Sequence, residues 1–334
     1  MVKAAMTYLR TPLTINWSLS YSCNFSCSHC YSRGTNVSEL AFEDIKKVID
    51  KISEAKIPFI NFGGGEPIIL KELMEITKYA VSKGLKVSMN SNGYLLDEEM
   101  AKRIKDAGFA SVGISIDGGT AEVHDKFRNM DGSFDRAITA LKNLHAAGVK
   151  TTMSSVISKI NFKDFQSFYK IAQDNHVSQL FLHNFKCTGK GFDNREEFDL
   201  TPVEWKDFYK EALEYKKKNK DIDISFDDPV MAALDDYERD ALVKGSTCGK
   251  VSLHIRPNGD ITPCGFIDIA IGNIVKDEIK DVWNNSEVLY KMRHKTPQNK
   301  CKSCASYEEC VGGCTARSLA LTGEINNPDP HCWV

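Results

Sequence analysis

Between residues 14 and about 217 the chain repeats one arrangement of positions six times: a short β-branched or apolar run, polar punctuation, then an amphipathic segment at helical spacing. The runs that predict strands are 14–20 (TINWSLS), 58–61 (PFIN), 85–90 (LKVSMN), 110–116 (ASVGISI), 149–157 (VKTTMSSVI) and 178–183 (VSQLFL). Helices fill the gaps. In 41–55, Ile45, Val48, Ile49 and Ile52 recur at helical spacing, and 95–107 opens on an acidic first turn. Such alternation gives a parallel sheet. Six units cannot close an eight-stranded barrel, so the expected fold is α/β, a partial (β/α)6 barrel of the TIM type with its active face at the C-terminal strand ends. Residues 202–244 read as a helical connection that helps cover the opening. Beyond it, LHIRPNGDITPC predicts two short strands around Asn258-Gly259, the second delivering Cys264. The expected organisation is an N-terminal extension (1–13), the barrel (14–217), a helical bridge (218–247) and a cysteine-rich module (248–334).

Composition narrows the function classes. Of 334 residues, 42% are hydrophobic and 26% charged, as in globular proteins, and no run approaches the roughly 18 apolar residues a membrane span needs. The first sixteen residues lack an apolar signal core and a small-residue cleavage site, so a soluble, cytoplasmic protein without a membrane partner is expected. A net charge of -2 and no basic stripe argue against a nucleic-acid partner. Eleven cysteines are many for a reducing compartment, where structural disulfides do not persist. Ten of them fall in two groups, Cys23/Cys27/Cys30 and Cys248/Cys264/Cys301/Cys304/Cys310/Cys314/Cys332, which points to metal sites at two places and leaves Cys187 alone.

The first group, CNFSCSHC, follows the first predicted strand with the spacing C-x3-C-x2-C. Three thiolates on one loop can hold three irons of a cubane and leave the fourth without a protein ligand. Zinc is the competing reading, with His29 as a further ligand, but structural zinc wants a closed set of four. CNFSCSHC followed by Gly64-Gly65-Glu66-Pro67 after the second strand resembles the radical S-adenosylmethionine (SAM) superfamily. That resemblance implies a 4Fe-4S cluster whose open iron is chelated by SAM, reductive cleavage to a 5′-deoxyadenosyl radical, and hydrogen abstraction from a substrate. It also implies SAM contacts from Gly64, Gly65, Glu66 and Pro67, from Ser91 and Asn92 in the turn after strand three, from Ser115 and Asp117 at the end of strand four, and from Arg128 in HDKFRNMDGSF. A hydroxyl and a guanidinium fork suit a carboxylate. An exposed ion pair is the plainer account of Arg128, and an ordinary turn that of Ser91 and Asn92.

The second group reads C-x10-G-x4-C, then Cys301-x2-Cys304-x5-Cys310-x3-Cys314, then Cys332. Seven thiols exceed one cluster's four ligands and do not divide into closed zinc sets. The spacing resembles the SPASM module of some radical SAM enzymes, which carries two auxiliary iron–sulfur clusters. By that resemblance Cys301, Cys304, Cys310 and Cys332 hold one auxiliary 4Fe-4S cluster, and Cys248, Cys264 and Cys314 the other. The latter set is one ligand short, and His254, solvent or substrate could complete it. An electron carrier or redox sensor would use the same thiols but would not need the GGEP and S-x-D-G motifs.

Cys187, in HNFKCTGKG just past the sixth strand, is a candidate hydrogen donor to a substrate radical, with a buried apolar role as the plainer reading. Sulfatase-maturating relatives carry an acid after the hairpin cysteine, whereas Cys264 is followed by Gly265. Resemblance to peptide maturases, to pyrroloquinoline quinone biosynthesis and to haem-pathway enzymes implies a peptide or small-molecule substrate. Modification of a ribosomally made peptide is the leading expectation, with side-chain removal from a tetrapyrrole as the alternative. Implied partners are a reductant such as flavodoxin or ferredoxin and, with few residues ahead of the first strand, a separate leader-peptide-binding protein.

Overall fold

The computed structural model describes residues 8–32, 37–226, 228–235, 237 and 242–334. Part of the expected N-terminal extension and part of the expected bridge therefore lie outside the described residues. The six predicted strands form as β1 (Thr14–Ser20), β2 (Phe59–Gly64), β3 (Lys86–Ser91), β4 (Ser111–Ser115), β5 (Thr151–Ile157) and β6 (Gln179–Asn184), parallel to one another in sequence order. β2 runs farther than the expected 58–61. Its glycines do not break it, because the ladder to β1 continues through Trp17↔Phe62 and Ser18↔Gly63 to Gly64. Helices pack their apolar stripes onto this sheet. Phe42–Glu54 buries Ile45, Val48, Ile49 and Ile52, and Glu98–Ala107 starts on an Asp97 cap (2.8 Å to the Met100 N–H) and stops at Gly108, φ 87°. Each fully buried large side chain of this core, Trp17 and Phe62 among them, contributes roughly 1.5–3 kcal/mol by leaving water.

Two more parallel strands extend the sheet. β7 (Asp223–Phe226) pairs with β6 through Gln179↔Asp223 to Leu182↔Phe226, inside the segment expected to be helical. Only four residues long, with Asp223 and Ser225 on its polar positions, it follows the helix Pro202–Lys218 and shows too little apolar pattern to read from sequence. On the opposite edge β8 (Ser252–Ile255), from the cysteine-rich module, pairs parallel with β1 from Thr14↔Ser252 to Trp17↔Ile255. The Asn258-Gly259 turn then reverses the chain into β9 (Asp260–Thr262), antiparallel to β8, and β10 (Gly272–Asn273) ends the sheet. The order is β10-β9-β8-β1-β2-β3-β4-β5-β6-β7. Residues from β1 to β6 and from β8 line one cavity, so the sheet curls around it as an open barrel. No helix among the described residues is long and apolar enough to cross a membrane.

A buried charged network ties the C-terminal module to the barrel. Arg317 donates to Asp228, just past β7, at 2.7 and 3.0 Å and to Asp329 at 2.5–3.2 Å. Burial alone would raise the Asp228 carboxyl, but Arg317, Lys186 and Tyr209 overcome this and hold it down at about 2.

Candidate active site at the strand ends

The first cysteine loop is held by the glycines of the next strand end. Gly65 N–H donates to the Ser20 carbonyl (2.8 Å) and Glu66 N–H to the Ser22 carbonyl (2.9 Å). A Cβ on Gly65 would stand 1.9 Å from the Ser22 oxygen, and one on Gly64 2.4 Å from that of Ser20. These glycines thus let β2 close onto the backbone that leads into Cys23. Cys23, Cys27 and Cys30 line a cavity of about 450 Å³ together with Gly64, Gly65, Glu66, Ser91, Asn92, Ser115 and Arg128. Pro67 instead opens a short 3-10 turn beside the wall. Phe25 anchors the loop, packed edge-on against Tyr94.

Glu66 joins two strand ends. Its buried carboxylate accepts from the Ser91 hydroxyl (2.8 Å), the Asn92 N–H (2.7 Å) and the Ile68 N–H (3.2 Å); burial raises its carboxyl against these donors. Asn92 Nδ2 donates to Asn24 inside the cysteine loop at 2.8 Å, and its Oδ1 receives the Tyr94 N–H. Ser91 and Asn92 are therefore more than a turn: they brace the thiol loop from β3.

Arg128 is not an exposed ion pair. It ends the helix Ala121–Arg128, is 7% exposed, and donates through Nε (2.9 Å) and Nη2 (2.7 Å) to Asp117 Oδ2. Asp117 sits fully buried behind it, its Oδ1 fixed by the Val156 N–H and its own N–H by His124 Nδ1. The guanidinium keeps donors for the cavity and places positive charge beside Cys27 and Cys23. Burial pushes the Cys27 thiol up to about 11, opposed by Arg128. A thiolate here therefore calls for a bound metal, and three such thiols on one loop fit a cubane corner. His29, stacked on Phe127 and 3.7 Å from Asp117, is lowered to about 4 by burial and stays neutral.

Across the cavity lie Cys248 and Cys264. The Cys248 thiol is within hydrogen-bonding reach of Cys264, whose own thiol is raised by that contact, by burial and by Cys314. Cys301 feels Cys332 and Cys304, and Cys310 feels Cys332, so the remaining thiols gather as a second set. None of the eleven cysteines is in a disulfide. Thiols gathered in sets of three, three and four suit metal clusters better than disulfides.

His254 lines the cavity beside Cys264, and both its ring nitrogens are engaged, Nε2 with Ser18 Oγ (2.9 Å) and Nδ1 with Thr262 Oγ1 (3.1 Å), so the buried histidine braces β1, β8 and β9. Cys187 lies 1% exposed and outside the cavity wall, its thiol donating to Asp199 at 3.0 Å, as the plainer reading of a buried cysteine expects. Cavity residues not singled out from sequence include Tyr31, Asn184, Lys186 and Phe266. Asn184 and Lys186 end or follow β6, where the strand-end rule points. Tyr31 follows Cys30 directly and packs on Phe266 at 4.5 Å between ring centroids.

An open parallel barrel with a thiol loop at its first strand end and a cysteine-rich module folded against it defines an iron–sulfur barrel enzyme. Residues 17–172 match the radical SAM superfamily and residues 247–305 the iron–sulfur cluster-binding SPASM domain. The mycofactocin maturase MftC of Mycobacterium tuberculosis is 30% identical over 97% of this chain and 83% of its own length. The AdoMet-dependent heme synthase of Methanosarcina barkeri is 27% identical over 98% of this chain and 97% of its own. Among solved structures, Streptococcus suis SuiB bound to S-adenosylmethionine superposes with a TM-score of 0.82 at 16% identity, covering 98% of this chain and 78% of that one. Native anSMEcpe with bound AdoMet gives 0.75 at 21%, covering 96% and 94%. The chain belongs to the radical SAM superfamily: it is a radical SAM enzyme that uses SAM and iron–sulfur clusters.

Proposed function

We propose that this enzyme modifies a ribosomally made peptide. The observation that carries the reading is the 30% identity to a peptide maturase over 97% of this chain. Cys23, Cys27 and Cys30 would hold the first 4Fe-4S cluster. Cys248, Cys264 and Cys314 would hold one auxiliary cluster, and Cys301, Cys304, Cys310 and Cys332 the other. When bound, cluster and SAM supply a 5′-deoxyadenosyl radical that removes a hydrogen atom from the substrate.

The remaining work falls to the chain. Arg128, aimed by Asp117, would hold the SAM carboxylate together with Ser115, both of which line the cavity. Gly64, Gly65 and Glu66 hold the thiol loop in place, Ser91 and Asn92 brace it, and Pro67 sets the turn behind them. Tyr31 and Phe266 pack on each other in the cavity wall between the two cysteine groups. Electrons would come from a flavodoxin or ferredoxin, and a separate protein would present the precursor's leader segment.

Anaerobic enzyme with SAM and reductant, offered short precursor peptides encoded beside its gene or an iron tetrapyrrole bearing propionates, tests the reading. Deoxyadenosine yield should rise with a peptide, together with a mass change on that peptide. A rise with the tetrapyrrole alone would replace this reading by the haem-pathway one.

A further inference from the structure

Behind the cavity wall, three side chains from distant segments converge. Cys187 follows β6, Asp199 precedes the helix Pro202–Lys218, and His331 lies in the C-terminal tail beside Cys332. Asp199 Oδ2 is 3.0 Å from Cys187 Sγ and 2.9 Å from His331 Nε2, and the three donor atoms all lie within 4.8 Å of one another. Cys187 and His331 are 1% and 2% exposed, and Trp205 stacks on the imidazole at 5.4 Å. The second carboxylate oxygen, Asp199 Oδ1, is buried without a hydrogen-bond partner.

We propose that Cys187, Asp199 and His331 form a zinc(II) site separate from the iron–sulfur clusters. Sulfur, oxygen and nitrogen are the donors zinc takes from proteins, at about 2.3 Å for sulfur and about 2.0–2.2 Å for the others. Tetrahedral bonds of those lengths set the donor atoms roughly 3.3–3.6 Å apart, so the two short separations open by a few tenths of an ångström and the third, within 4.8 Å, is drawn toward the same spacing. Charge favours the site as well: zinc(II) with one thiolate, one carboxylate and one neutral imidazole is neutral overall, as burial requires. Binding releases to solvent the Cys187 thiol proton and any second proton on the imidazole, since both ligate in their deprotonated forms. Asp199 ligating through both oxygens gives Oδ1 its missing partner and brings the three residues to the closed set of four donor atoms. The ion would pin the tail that carries Cys332 to the segment whose Asn184 and Lys186 face the cavity, joining module and barrel without entering the chemistry. None of this depends on which substrate the enzyme takes.

The test uses iron-replete holoprotein produced with zinc in the medium and purified anaerobically. Metal analysis should find about one zinc per chain beside the iron, and zinc-edge X-ray absorption a first shell of one sulfur with nitrogen and oxygen. Cys187→Ala and Asp199→Asn should each lose the zinc while iron content and SAM cleavage stay unchanged. Three results overturn the proposal: no zinc in the wild type, a shell dominated by sulfur (zinc in cluster positions), or zinc retained with the same shell in Cys187→Ala. Should a variant fail to fold, the wild-type zinc count and shell decide alone.

Discussion

Gly65 has no room for a side chain, since any Cβ would press on the Ser22 carbonyl one residue before Cys23. Gly65→Ala should therefore displace the thiol loop, lower iron by the first cluster's share and cut deoxyadenosine formation roughly a hundredfold, as misplacement by about 1 Å does. Spectra of the auxiliary clusters should be unchanged; their loss too would mean global unfolding. Arg317 gives a second prediction. Its removal leaves Asp228 and Asp329 buried without the guanidinium that offsets their charge, so Arg317→Leu should cost about 3–5 kcal/mol in denaturant unfolding of the holoprotein. The acid limb should move as well. Asp228, held below its ordinary 3.8, adds stability that is complete above that value and fades as pH falls toward about 2. Without Arg317 the carboxyl rises, and acid unfolding should begin at a higher pH. At this scale the two cysteine groups were legible, because their spacing sets them apart from a lone cysteine. Where Cys187 turns was not, because position past a strand end does not say which way a side chain points. Arg317 gave no signal, since one charge on an amphipathic helix looks like surface.

Among elements, the helix Pro202–Lys218 begins with a reciprocal cap: Thr201 Oγ1 receives the Glu204 N–H at 3.3 Å, and Glu204 returns a bond to the Thr201 N–H at 2.8 Å. Thr201→Ala should destabilise the protein by about 1 kcal/mol, read as an unfolding midpoint shift without change in slope. The same helix carries Trp205 and Tyr209 into the core. Six parallel strands were readable to within a few residues, since buried parallel strands are dense in β-branched and apolar residues. β7 escaped because an edge strand of four residues needs little apolar surface. β8 was read as half of a hairpin, which it is, but its second partner β1 lies more than two hundred residues earlier, and local pattern carries no record of so distant a pairing.

On the scale of the molecule, barrel and cysteine-rich module share one sheet and one core, in which Trp283, Leu289 and Met292 belong to the same apolar cluster as Trp17 and Phe62. A chain ending at residue 247 should therefore not behave as a smaller, intact barrel. It bares the β1 edge and the apolar face beneath the module, and should collect as aggregate, with sedimentation and iron content as the readouts. Monodisperse protein retaining the first cluster would show the barrel to be self-sufficient. During synthesis the arrangement imposes an order of events: β1 leaves the ribosome early, yet one side of its ladder stays open until Ser252–Ile255 has been made. The nascent chain thus holds an unfinished strand beside the three thiols while more than two hundred further residues are made, an interval in which a chaperone or an iron–sulfur carrier has reason to be at hand.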